Sequence, residues 1–201
     1  MRNIGIFGGT FDPVHNGHIY LAKTAVEAVK LDKLIVMPDR LPPHKQASGL
    51  VSDADRLEMC RIAFEDMPCA EVSDWEMNRS GKSYSVYTVR HFKEMYPKDK
   101  LWLIMGSDML LCFDKWYRYE EILSMASLVC VSRKNDDTTQ KLRDFAKYLT
   151  DKNGGEIAVI DTLPFEISST EIRESIKKMR DTSCYFPKKI VQYIYEHDLY
   201  K

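Results

Sequence analysis

Two histidines three residues apart, His15 and His18, close the run Gly8-Gly9-Thr10-Phe11-Asp12-Pro13-Val14-His15-Asn16-Gly17-His18. An apolar stretch of strand length, Ile4–Phe7, leads into it, and a helical pattern, Ile19, Ala22, Val26 and Val29, leads out. Glycines leaving a strand permit a tight turn and let an anion approach the backbone. The helix behind them aims unpaired N–H groups and partial positive charge at the same place. Imidazoles there can donate to charge that develops in phosphoryl or nucleotidyl transfer. Read alone, the histidines also fit caps or core residues, and a zinc pair has no third ligand at suitable spacing. The run is neither G-x-G-x-x-G nor a phosphate loop ending in G-K-[ST].

A second cluster lies far downstream, in Ile167-Ser168-Ser169-Thr170-Glu171-Ile172-Arg173. Ser168 and Glu171 have the spacing of a capping box, so a helix is expected to begin here. A helix N-terminus carrying hydroxyls and an arginine one turn in is also an anion cradle, and the two readings are compatible. A third cluster, Gly106-Ser107-Asp108, follows the apolar run Leu101–Met105. Gly81-Lys82-Ser83 imitates the end of a Walker A loop, but Glu76 stands where its first glycine belongs.

The elements that must position these clusters alternate along the chain. Strands are expected at Ile4–Phe7, Leu34–Met37, Glu71–Ser73, Leu101–Met105, Leu128–Ser132 and Ile157–Ile160. Between them lie helical patterns: one opened by Ser52 and Asp55 with Leu57, Cys60 and Phe64 on a face, one marked by Val86, Val89 and Phe92, and a polar one over Thr138–Lys152 that stops at Gly154-Gly155. Helices from Ser169 and from Pro187 or Lys188 close the chain. Repeated β-then-α units with near-continuous apolar strands predict an α/β fold, a Rossmann-like doubly wound parallel sheet with helices on both faces, as one domain over residues 1–201. Ligands of such sheets bind beyond the carboxyl ends of the strands, where all three clusters fall.

Composition narrows the class further. Lys and Arg number 29 against 30 Asp and Glu, a net charge of −1, so no basic excess draws the chain to nucleic acid. No stretch approaches the apolar length of a membrane span, and no signal-peptide pattern opens the chain. The five cysteines have no C-x-x-C spacing and fall partly in apolar runs, which fits reduced, mostly buried thiols in a cytoplasmic protein.

Gly-Gly-Thr-Phe-Asp-Pro-x-His-x-Gly-His resembles the signature of the HxGH nucleotidyltransferases, specifically the nicotinate-nucleotide adenylyltransferases, and the Ile-Ser-Ser-Thr-x-Ile-Arg run resembles the second signature of the same superfamily. The resemblance covers essentially the whole chain. It implies that His15 and His18 act on the ATP phosphates and that Gly8, Gly9, Thr10, Phe11, Gly106, Asp108, Ser168, Ser169, Thr170 and Arg173 form the ATP site, Asp108 holding ribose hydroxyls. It implies Mg²⁺ carried by ATP with few protein ligands, and no metal-binding residues of its own.

Pro42-Pro43-His44-Lys45 is similar to the family's substrate loop, in which basic residues approach the mononucleotide phosphate. Trp116-Tyr117 matches an aromatic pair whose Trp stacks on the pyridine ring; as a lone residue Trp116 equally fits a core anchor. Arg133 corresponds to a substrate-side arginine. With Asp39 and Ser85 these residues make up the implied acceptor site. The implied reaction joins nicotinate mononucleotide to the AMP part of ATP in NAD biosynthesis, with His15, His18, Lys45 and Arg173 as the catalytic set. Backbone N–H groups in the segments of Ser85 and Tyr117 would favour the acid over the amide.

Two positions depart from the family pattern. Tyr87 replaces an Asp in Ser83-Tyr84-Ser85-Val86-Tyr87-Thr88, and Asp39 stands where Asn is common, a repulsive choice beside a phosphate unless the carboxylate points away or bonds ribose. Alternatives are another HxGH nucleotidyltransferase (a phosphopantetheine adenylyltransferase or a cytidylyltransferase) and a non-catalytic nucleotide sensor. The sequence leaves homo-oligomer formation open.

Overall fold

A computed structural model describes residues 1–40, 50–132, 136–162 and 167–201, the side chains of 136–138 excepted. Six strands form one parallel sheet: β1 (Asn3–Gly9), β2 (Lys33–Pro38), β3 (Ala70–Val72), β4 (Lys100–Gly106), β5 (Ser127–Ser132) and β6 (Ile157–Asp161), in the spatial order β3-β2-β1-β4-β5-β6. The chain builds outward from β1 to one edge, returns to pair β4 with β1 on its other side, and continues to the opposite edge. The strand order therefore reverses between β1 and β4, the crevice where a doubly wound sheet takes its ligand.

The near-continuous apolar strands are explained by burial on both faces. Leu34 and Val36 of β2 enter one core with Phe7, Trp102, Ile104, Val129 and Val131. Ile35 and Met37 enter the other with Ile4, Ile6, Leu103, Met105 and Leu128. The first core is covered by α1 (Asn16–Ala28), α2 (Asp53–Phe64), α7 (Ser169–Lys177) and α8 (Lys188–Glu196). The second is covered by α3 (Ser85–Met95), the short α4 (Ser107–Leu110), α5 (Tyr119–Met125) and α6 (Asp136–Asn153). A fully buried Leu or Ile contributes about 1.5–3 kcal/mol, so the two apolar layers supply most of the force that closes the sheet.

Helix ends follow their local chemistry. Ser52 accepts from the Asp55 N–H at 3.1 Å to start α2, and Ser168 accepts from the Glu171 N–H at 3.2 Å in a full capping box that starts α7. Gly154 (φ +72°) and Gly155 (φ +88°) stop α6 in the left-handed region. The buried stripe of α2 differs from the expected one. It runs Arg56, Met59, Cys60, Ala63 and Phe64, while Leu57 is only half-buried, because the face turned to β2 lies one position round the helix. All five cysteines are free thiols; Cys60 and Cys130 are buried, Cys69 and Cys112 half-buried and Cys184 exposed, fewer inside than expected.

Candidate active site

β1 ends in a turn whose left-handed residue is Phe11 (φ +49°) rather than either glycine. Each glycine has a separate reason. A Cβ on Gly9 would meet the Phe11 ring at 3.0 Å, whereas a Cβ on Gly8 would find only the Met37 carbonyl, at 4.0 Å. Gly9 thus makes room for the folded-back ring, and Gly8 keeps an exposed stretch of backbone bare for a ligand.

The histidines sit at the mouth of α1, which directs its N-terminal N–H groups toward the same turn. His15 is the N-cap residue and only 1% exposed; His18 is half-buried above it, with ring centroids 3.8 Å apart. The His15 backbone N–H donates to His18 Nδ1 at 3.2 Å. That bond selects the tautomer: Nδ1 accepts, so the ring proton of neutral His18 is carried on Nε2. The Phe11 ring meets His18 edge-on at 5.1 Å and limits its rotation. The result is a pre-oriented N–H donor, which is what stabilising a developing charge requires.

The C-terminal cluster is fastened to this turn. Arg173 Nη1 donates to the Asp12 carbonyl at 2.6 Å and lies 3.6 Å from its carboxylate, while Nη2 donates to Thr170 Oγ1 at 3.2 Å. Ser169 Oγ donates to the Pro13 carbonyl at 3.0 Å. The N-termini of α1 and α7 therefore converge on one turn, and Thr170 remains exposed at its edge. Asp12, 2% exposed, is the hub: its carboxylate also takes a hydrogen bond from the Tyr200 hydroxyl at 2.9 Å. Burial and the Asp12 charge push the Tyr200 phenol well above its usual range.

The neighbouring strand ends complete the crevice. Gly106 caps α4 after β4, with Ser107 buried and Asp108 exposed next to the β1 turn's side of the sheet. Asp39 follows β2. Its N–H donates to the Gly9 carbonyl at 3.0 Å and its carboxylate accepts from Thr10 Oγ1 at 3.2 Å. The charge that the sequence made suspect is balanced by Arg56, whose Nη1 lies 3.6 Å away.

Of the residues expected on the acceptor side, Ser85, Trp116 and Tyr117 lie around the starts of α3 and α5. Arg90 grips both Glu121 oxygens, Nη2 to Oε2 at 2.7 Å, and clips the two helices together. Ser85 opens α3, and its neighbour Tyr84 packs on Tyr117 with centroids 4.8 Å apart. Trp116 is half-buried, 5.2 Å from the Phe113 ring, so one part anchors in the core and the rest is open. Tyr87 joins the Tyr84 and Tyr117 rings and lies under the Arg79 guanidinium at 4.9 Å, which also covers Trp75. Its ring thus serves as packing surface at the start of α3. His44, Lys45 and Arg133 lie outside the described residues.

Two residues of this region have no counterpart in the sequence reading. Arg56 is wholly buried; its signal was a cation inside an apolar helical stripe, at four-residue spacing from Cys60. Glu76, noticed only as the wrong residue for a Walker loop, is a buried carboxyl that accepts from the Thr88 hydroxyl. Burial pushes it above the usual carboxylate range, partly offset by the Thr88 and Ser83 hydroxyls. Among the described residues no three His, Cys, Asp or Glu side chains gather as a metal site, and no helix is long and apolar enough to cross a membrane.

The cytidylyltransferase-like family matches residues 6–175. The nicotinate-nucleotide adenylyltransferase of Bacillus subtilis is 35% identical over 201 residues, covering 100% of both chains. Two solved structures of Plasmodium falciparum nicotinic acid mononucleotide adenylyltransferase, complexed with APC and with NaAD, share the fold at TM-scores of 0.79 and 0.80. They are 20% identical to this chain and cover 100% of it and 98% of their own chains.

Proposed function

We infer the reaction from the premise that this chain belongs to the nicotinate-nucleotide adenylyltransferase family, within the cytidylyltransferase-like nucleotidyltransferases. It transfers the adenylyl group of ATP to nicotinate mononucleotide, giving deamido-NAD and pyrophosphate in NAD biosynthesis. The observation that carries this reading is the convergence of two helix N-termini and the oriented His18 on the bare turn after β1.

The acceptor's phosphate is already ionised near neutral pH, so the step needs no strong general base. One of its oxygens attacks the α-phosphorus of ATP as the bond to the β-phosphate bridging oxygen breaks in line, and pyrophosphate takes that electron pair. Catalysis is positioning plus electrostatics. In our reading His18, from Nε2, and His15 with the α1 N-terminus handle charge on the triphosphate. Ser168, Ser169, Thr170 and Arg173 at the start of α7 hold the departing pyrophosphate. Gly8, Gly9, Thr10 and Phe11 shape the turn, and Gly106 and Asp108 take the ribose. On the acceptor side, Lys45 and His44 meet the mononucleotide phosphate, Asp39 and Arg133 border it, and Ser85, Trp116 and Tyr117 enclose the pyridine ring. Mg²⁺ enters as part of the ATP substrate. The five free thiols fit a reducing compartment, and we place the enzyme in the cytoplasm.

The test is pyrophosphate release from ATP and Mg²⁺ with nicotinate mononucleotide, nicotinamide mononucleotide or a phosphopantetheine acceptor. Release is expected to depend on the first. The acid should exceed the amide in kcat/KM by about 10²–10⁴, because an all-donor pocket meets the amide's NH₂ head-on and leaves buried groups unpaired. ATP binding without acceptor-dependent turnover would instead make the chain a sensor.

A further inference from the structure

Arg56 has no exposed side-chain surface, and a buried guanidinium persists only where it is paired. Nη1 donates to the Thr10 carbonyl at 2.7 Å and Nη2 to Asp53 Oδ1 at 2.5 Å. Asp53 is also approached by Arg40, whose Nε lies 3.9 Å from its second oxygen, so two arginines face the two carboxylates Asp53 and Asp39. The remaining partner is Asp39, 3.6 Å from Nη1. Asp39 is itself built into the turn, through the Gly9 carbonyl and the Thr10 hydroxyl.

We propose that Arg56 is a positioning residue of the adenylyl transfer, fixing the Gly9-Thr10 turn by its carbonyl and offsetting the Asp39 carboxylate so that two anionic substrates can meet beside it. The inference rests on the reaction read above. Both substrates bring phosphates to this turn. A carboxylate bonded to Thr10 repels them unless a cation neutralises it, and the low dielectric around a buried pair makes that compensation count. A solvated lysine on the surface would be screened; a guanidinium locked under the turn is not. The same side chain therefore links a rigid turn to a tolerable local field.

The experiment compares Arg56→Gln, Arg56→Lys and the double variant Asp39→Asn/Arg56→Gln by pyrophosphate release with ATP, Mg²⁺ and nicotinate mononucleotide. Arg56→Gln should raise the KM for nicotinate mononucleotide by about tenfold or more, a larger change than its fall in kcat. Adding Asp39→Asn should return that KM to within about threefold of wild type, because the unbalanced charge is gone. A merely structural arginine would not be rescued this way, so a KM in the double variant that stays as high as in Arg56→Gln overturns the proposal. If Arg56→Gln does not fold, Arg56→Lys decides the matter: it keeps the charge and loses the fork, so kcat should fall while the KM for nicotinate mononucleotide stays within about threefold of wild type, and a KM raised by about tenfold would overturn the electrostatic role. Failure of the reaction itself would look different, since the wild-type chain would then release no pyrophosphate in response to the mononucleotide.

Discussion

His18 has two separable jobs, and two substitutions pull them apart. Nδ1 accepts the His15 N–H at 3.2 Å and so finishes the first turn of α1; in the proposed reaction Nε2 carries the proton offered to phosphate. Alanine removes both. The lost cap costs about 0.5–2 kcal/mol. For a chain of this length each kcal/mol lowers Tm by about 2–4 °C, so Tm should fall by about 1–8 °C. The lost donor costs about 10²–10³ in kcat. Asparagine places Oδ1 where Nδ1 stood and has nothing at the Nε2 position. His18→Asn should therefore keep most of the wild-type Tm while losing nearly as much kcat as His18→Ala. Thermal melting and pyrophosphate release at saturating ATP and nicotinate mononucleotide measure the two effects independently. Activity of His18→Asn within about threefold of wild type would refute the assignment of Nε2 as the catalytic donor.

Arg173→Lys keeps a charge near Asp12 but cannot bond the Asp12 carbonyl and the Thr170 hydroxyl together; the KM for ATP should rise by about fivefold or more, and unchanged ATP kinetics would leave Arg173 a helix anchor only. Tyr200→Phe removes one hydrogen bond to the buried Asp12 carboxylate and leaves the ring in place, so a loss of about 1.5–3 kcal/mol is expected in urea unfolding, and a loss too small to measure would refute the anchor. Glu76→Gln tests linkage. Because folding raises the Glu76 pKa, its proton favours the native state below the unfolded value near about 4.3, and that stability is lost as pH rises through the folded value. The variant should thus gain on wild type between pH 4.5 and pH 7.5, and a Tm difference that is flat or shrinking with pH would contradict the assigned cause.

The strands were legible because burial on two faces writes an uninterrupted apolar run. Every expected segment overlaps its strand, Glu71–Ser73 being displaced by one residue against β3 at the sheet's edge, where the pattern is shortest. Ser168-x-x-Glu171 was legible for a similar reason: a cap is made between residues three apart. What escaped reading was made by pairs distant in sequence. Arg56 meets Thr10 across 46 positions and Tyr193 donates to Asp55 across 138, and no local pattern encodes either partner. The left-handed Phe11 was hidden by two adjacent glycines, the residues expected to take that conformation. Asp39 read as a liability because its compensating cation sits on another element.

The bond from Tyr200 to Asp12 spans 188 positions and closes the site from its far side. On the ribosome this becomes a matter of timing. At about 5–20 residues per second, Asp12 is synthesised on the order of ten seconds or more before the hydroxyl that will hold it. Meanwhile β1 can pair first with β2 and later with β4, so its backbone edges are covered in order of emergence while the turn beyond it still lacks its last anchor. The turn after β1 is thus made long before the hydroxyl that bonds its buried carboxylate. A nascent chain still short of Tyr200 accordingly holds a paired sheet around a turn whose buried carboxylate lacks one of its hydrogen bonds.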